Sequence, residues 1–225
     1  MRAAILVYHR MGDGTAFHDV AEAVFRSHLA MIAARNEGPE LLLTFDDGTA
    51  GHMRAAALLE ESGLRGLFFI SPARLNEPGR LTRAQASELA GRGHLLGSHG
   101  LTHRRFDQMN VDACLDELIC SRTDLEDLSG TRVEWLAPPG GIGRPDLAKL
   151  AHRSGYARIR SMCWGYADFS GPMSLPVLPV TRRTRPATFA RMIAGTQPIW
   201  PFQLKQLAKN AVGERLWTWL RERYL

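Results

Sequence analysis

Short apolar runs alternate with amphipathic stretches from the first residues to about Ala190, the sequence form of repeated β-α units around a parallel sheet. Seven runs read as strands: Ala3 to Tyr8, Leu41 to Phe45, Gly66 to Ile70, His94 to Ser98, Val133 to Ala137, Ala157 to Met162 and Leu175 to Val180. Six stretches read as helices: Val20 to Arg35, Gly51 to Ser62, Thr82 to Gly91, Val111 to Leu128, Pro145 to Arg153 and Pro186 to Ala194. Gly63, Gly93, Gly130 and Gly155 follow four of these helices, where a residue that tolerates positive φ makes a C-terminal cap. The fold class is therefore α/β. Seven strands within the first 195 residues predict a distorted (β/α) barrel, although an open doubly wound sheet has the same periodicity.

After Gly195 the pattern changes. Pro198, Trp200 and Pro201 form a breaker, and Leu204, Leu207, Ala208, Ala211, Val212, Leu216, Trp219 and Leu220 then keep helical spacing against basic residues on the opposite face. The expected organisation is one domain over 1–195 and a C-terminal basic amphipathic helix over 196–225.

Composition narrows the class. With 225 residues, 45% hydrophobic and 23% charged, the chain suits a globular domain and excludes disorder. Its apolar runs fall far short of the ~20 residues that span a bilayer. The run Ala3 to Val7 is also too short for a signal-peptide core, so a cytoplasmic protein is expected, with peripheral contact at the inner membrane face through the Trp-bearing basic tail. Three cysteines, an odd number, make no disulfide framework. The net charge of +5 comes from Arg scattered along the chain without a nucleic-acid motif, so no nucleic-acid partner is expected.

Candidate chemistry lies where apolar runs end. Leu41 to Gly48, LLLTFDDG, delivers Asp46 and Asp47 to the carboxyl end of a strand, where parallel α/β folds place their sites. His94 to His103, HLLGSHGLTH, brings His99 and His103 to another strand exit at a spacing that lets two imidazoles face one metal ion. With a strand-end Asp they would make a His, His, Asp ligand set that leaves positions open for water and substrate. The first strand runs directly into His9, and barrel closure would put it beside the last strand.

TFDDG followed about fifty residues later by SHGLTH resembles the first two motifs of the polysaccharide deacetylases, the NodB-homology group, and the likeness extends over roughly Ala3 to Val180. The resemblance implies a metal-dependent hydrolase that removes the acetyl group from an N-acetylated sugar of a polysaccharide or glycan precursor. It implies Asp46 as general base, Asp47, His99 and His103 as ligands of one divalent ion, zinc first, with cobalt, nickel or iron compatible with the same set. Two departures stand out. Ala137, in VEWLAPPGG, occupies the place of an Arg that orients the base, and Thr181 to Arg183 replace a late His that acts as acid. His9 is the expected substitute for that acid. Pro138, Pro139 and Gly140 are expected to form a groove wall, with Trp164 and Asp168 lining the substrate pocket. The two competing readings are a hydrolase of another non-peptide C–N bond and a carbohydrate-binding protein without catalysis.

Overall fold

The structure, a computed structural model, describes residues 2–141 and 143–201. In chain order its elements are β1 (Arg2–Tyr8), β2 (Arg10–Met11), β3 (Asp19–Val20), α1 (Glu22–Ala33), β4 (Glu40–Phe45), α2 (His52–Glu61), β5 (Gly66–Ile70), α3 (Arg83–Gly91), β6 (Leu95–Ser98), α4 (Val111–Ser129), β7 (Trp135–Leu136), α5 (Leu147–Arg153), β8 (Arg158–Trp164), β9 (Ala167–Asp168), β10 (Ser174–Pro179) and α6 (Pro186–Ile193). Among the described residues, the parallel strands β1, β4, β5, β6, β7, β8 and β10 pair in that order, and β10 pairs back with β1. The barrel closes, and the open-sheet alternative falls away. The tail helix expected over Phe202 to Leu225 lies outside the described residues. Among those described, no helix is long and apolar enough to cross a membrane.

Closure explains why the strands read as unbroken apolar runs: both of their faces are covered. On β1, Ala4, Leu6 and Tyr8 join the layer between barrel and helices, while Ala3, Ile5 and Val7 fill the barrel interior with Leu175 and Val177. Leu67, Phe69 and Ala137 complete the interior filling from the far wall. A cavity left by Ile5→Ala would cost about 2–5 kcal/mol, because the barrel wall cannot collapse into it. Thr82 caps α3 reciprocally with Gln85, and Asn110 caps α4 through the Ala113 N–H. Gly63, Gly93, Gly130 and Gly155 all take positive φ, as their places after helices require.

Two short features were not legible beforehand. After β1 the chain makes a parallel β2–β3 ribbon, and after β8 it turns back so that β9 runs antiparallel beside the start of β1.

Candidate active site

The carboxyl ends of β1, β4 and β6 bring His9, Asp46, Asp47, His99 and His103 to one end of the barrel. Asp46 leaves β4 with its N–H bonded to the Tyr8 carbonyl at 2.9 Å. It is 2% exposed. Asp47 then takes φ +77°, and His103 takes φ +65°. Left-handed backbone at two non-glycine residues stores strain, and it turns both side chains toward a common point. The Arg80 guanidinium donates to the Asp47 carbonyl at 2.5 Å, holding that turn.

His103 Nε2 lies 2.9 Å and His99 Nε2 3.5 Å from Asp47 Oδ1. One ligand atom from each of the three residues falls within 4.8 Å of the others. His99 Nδ1 donates to the Ala137 carbonyl at 2.7 Å. A carbonyl can only accept, so in the neutral ring Nε2 is left with its lone pair aimed at the Asp47 oxygen. Two lone pairs facing each other need a positive charge between them, and a divalent cation meets that need with a donor set of borderline softness. Burial pushes the Asp47 carboxyl up, but the two imidazoles beside it, His103 foremost, outweigh it and hold the group far below the usual carboxylate range. Such a carboxylate is ionised at any working pH.

The loop carrying the two imidazoles is fixed by a residue that sequence reasoning did not single out. Glu117, 7% exposed on α4, accepts the N–H groups of Leu101 and Thr102 at 2.7 and 3.0 Å and also takes the Thr102 hydroxyl. Gly100 sits over it at φ +73°, where a Cβ would stand 3.3 Å from the Glu117 carboxylate. A polar position on an ordinary amphipathic helix gave no signal of this.

The place of the expected Arg is filled from the neighbouring strand. Leu136 of β7 pairs with Ile159 of β8, so Ala137 stands one residue further along beside Arg160. Arg160 is 0% exposed. Its guanidinium bonds Asp46 Oδ2, reaches Met162 Sδ at 2.8 Å and lies 5.1 Å from the Phe69 ring centroid. The small Ala137 leaves room in the interior that Phe69 and Arg160 share. Burial pushes the Asp46 carboxyl up, and Arg160 foremost among the charges brings it below the ordinary value. The signal available in the sequence was an Arg inside an apolar strand, ARIRSM.

His9 Nε2 is 3.6 Å from Asp46 Oδ2. Because Leu6 pairs with Leu178 and Val7 with Pro179, His9 falls beside Thr181, the position of the absent late His. His52 Nε2 holds the His9 carbonyl at 2.5 Å. The His9 ring stacks on His18 with centroids 4.3 Å apart, a second imidazole that sequence reasoning missed. Burial lowers the His9 pKa, partly countered by Asp46. Among the described residues, Asp46 Oδ1, His9 Nδ1 and His18 Nδ1 are buried without a hydrogen-bond partner.

The residues expected to line the substrate pocket divide. Pro138 and Gly140 border a cleft of about 360 Å³ between α5 and β8, whereas Pro139 is buried. Trp164, the last residue of β8, is partly buried and packs against the apolar layer between barrel and helices. Asp168 pairs with Arg2 at the amino end of β1, about 23 Å from His9 at roughly 3.3 Å per strand residue. The reversal after β8 carries it there, and its carboxylate accepts the Ser170 N–H and hydroxyl.

The chain is thus a closed seven-stranded (β/α) barrel with Asp and His side chains gathered at the strand carboxyl ends. The family model described as polysaccharide deacetylase matches residues 33–159, and the chain belongs to that family. YheN of Bacillus subtilis is 27% identical over 169 residues, covering 64% of this chain and 58% of YheN. The peptidoglycan-N-acetylglucosamine deacetylase of Bacillus cereus is 27% identical over 104 residues, covering 45% of this chain and 36% of that protein. The chain thus spans little more than half the length of the first relative. The structure of the Streptococcus pyogenes deacetylase PplD in complex with acetate superposes with a TM-score of 0.78 at 17% identity, over 86% of this chain and 98% of that one, and shares the fold.

Proposed function

We propose that the protein removes the acetyl group from an N-acetylated sugar of a polysaccharide or glycan precursor, releasing acetate and a free amine, with the help of a divalent ion held by Asp47, His99 and His103. The observation that supports this most is the convergence of a buried Asp46–Arg160 pair, an Asp–His–His trio and His9 at one barrel end. Asp47, His99 and His103 would hold the ion, zinc first by their donor set, and when bound it would supply a Lewis acid for the amide carbonyl and the attacking water.

The chain's own residues do the rest. Arg160 holds Asp46 through Oδ2 and keeps it ionised, so Oδ1 remains an acceptor for the proton of the attacking water. That water's oxygen joins the acetyl carbon and becomes part of acetate. Its proton must reach the leaving nitrogen, because an amide nitrogen leaves only as an amine. Burial keeps the resting His9 ring largely neutral near pH 7. His9, whose Nε2 stands beside the Asp46 carboxylate, therefore starts as the base that takes up the proton released from Asp46 Oδ1 and passes it to the leaving nitrogen. Both departures that favoured a binding-only protein have answers within the chain: Arg160 for the Arg missing at Ala137, and His9 for the late His.

The test is acetate release from a panel of N-acetylhexosamine glycosides, oligomers and sugar phosphates by metal-reconstituted protein. Acetate and amine in equal amounts from at least one of them is the expected result; no product from any would contradict the proposal.

A further inference from the structure

Resting on the deacetylase reading, which it deepens, we propose that the substrate carries an anionic oxygen group, a phosphate or a carboxylate, on or next to the reacting sugar, and that Arg182 and Arg183 bind it. β10 ends on the site side of the barrel and hands the chain to Thr181, Arg182 and Arg183, next to His9. There the segment clasps the loop between β2 and β3. The Arg182 N–H donates to the Phe17 carbonyl at 3.3 Å, its guanidinium donates to the Thr15 carbonyl, and the Arg183 guanidinium lies 5.9 Å from the Phe17 ring centroid. Thr15, Phe17, Arg182 and Arg183 border an open cleft of about 580 Å³.

The cleft adjoins the reacting groups through a short series of rings. Phe17 meets His18 edge to face at 5.0 Å, His18 stacks on His9 at 4.3 Å, and His9 lies 3.6 Å from Asp46. One imidazole separates Phe17 from His9, so a group in the cleft belongs to the reacting sugar or its immediate neighbour. Phe17 is 50% exposed and offers an apolar ring on which a sugar face can pack.

Charge identifies what the cleft takes. Among the described residues no carboxylate forms an ion pair with Arg182 or Arg183. The loop's own Asp19 is committed to Arg10 at 3.3 Å and to the Ala16 N–H at 2.8 Å. Two guanidinium groups at one cleft present the planar donors that match phosphate and carboxylate oxygens. A neutral N-acetyl polymer gives them no partner, and its deacetylated product, a chain of ammonium groups, is repelled.

Calorimetry on the full chain tests this with deacetylated sugars, which bind without reacting: glucosamine 1-phosphate, methyl glucosaminide and a glucosaminyl-glucuronate disaccharide, with inorganic phosphate as a further probe. At least one anionic sugar is expected to bind tenfold or more tighter than the neutral glycoside, about what one charge-assisted hydrogen bond supplies. The tighter of the two names the anion. The ratio should fall toward one in Arg182→Gln/Arg183→Gln, and partly in Arg183→Gln alone, while Arg153→Gln, at an exposed position ending α5, keeps it. Equal binding of neutral and anionic sugars, a ratio indifferent to both arginines, or inorganic phosphate binding as tightly as the sugar phosphate would overturn the proposal. Arginine-dependent binding without acetate release from any N-acetyl sugar would retain this site and sink the deacetylase reading instead.

Discussion

Replacing Arg160 by Met keeps apolar volume in the barrel interior and removes the charge that faces Asp46. Asp46 is 2% exposed and Arg160 0%, so the variant strands a carboxylate in a nearly dry site with His9, 3.6 Å away, as its remaining partner there. Breaking a buried pair by deleting one member costs about 3–5 kcal/mol, most of it the penalty of the charge left behind. For a chain of this size each kcal/mol moves the melting temperature by about 2–4 °C, so a fall on the order of 10 °C is expected. Burial alone pushes the Asp46 carboxyl up, and Arg160 opposes it. Without Arg160 the folded pKa rises, and the acid limb of the rate moves to higher pH. Turnover should fall about a hundredfold, the effect of losing alignment at a reacting group.

Urea denaturation supplies the energies, and adding Asp46→Asn completes a double-mutant cycle. The double variant should recover more than 1 kcal/mol relative to Arg160→Met, since neither member is then a stranded charge. Ala137→Arg in the Arg160→Met background should return part of the rate, because the two positions are neighbours in register. Refutation would be an Arg160→Met protein that loses less than about 1 kcal/mol and keeps its turnover, since a buried pair cannot be that cheap to break.

Other outcomes follow from the same geometry. Glu117→Ala releases the Leu101–Thr102 loop and should weaken metal binding about 10- to 100-fold in a chelator competition, as losing a support behind metal ligands does; unchanged affinity would remove it from the site. His9→Ala should cut turnover about 10²- to 10⁴-fold, most for substrates with poor leaving amines; a uniform, small loss would assign the proton elsewhere. His28 hydrogen-bonds Tyr8 Oη at 3.1 Å and stacks on Phe189, and burial lowers its pKa from 6.5 to about 4. The unfolded chain binds the extra proton first, so stability is full above pH 6.5 and is lost as pH falls toward 4, by up to roughly 3 kcal/mol. Denaturant midpoints should decline over that window, and less steeply in His28→Phe; parallel declines would disprove the assignment.

How much of this was legible in the sequence depends on whether a feature needs local pattern or long-range register. The barrel strands were legible because closure buries both faces of each, leaving runs such as AAILVY without a polar interruption. Asp46, Asp47, His99 and His103 were legible because strand ends follow such runs directly. His9 could be placed because closure makes the first and last strands neighbours whatever the details between them. Arg160 could not, since recognising it requires the pairing of Leu136 with Ile159, which sets it beside Ala137. Glu117 acts through backbone N–H groups that carry no sequence signature. Asp168 was misread because nothing in GYADFS announces that the chain reverses to pair with the start of β1.

The central claim is that a divalent ion at Asp47, His99 and His103 and the base Asp46 act together on an N-acetyl group. It is tested most directly by following acetate and metal content together in wild-type protein, in chelator-stripped and reloaded protein, and in Asp46→Asn. The account predicts that stripping abolishes acetate release, that reloading restores it, and that Asp46→Asn holds its metal yet releases none. Acetate release that survives complete removal of metal, or that continues in metal-loaded Asp46→Asn, would contradict it.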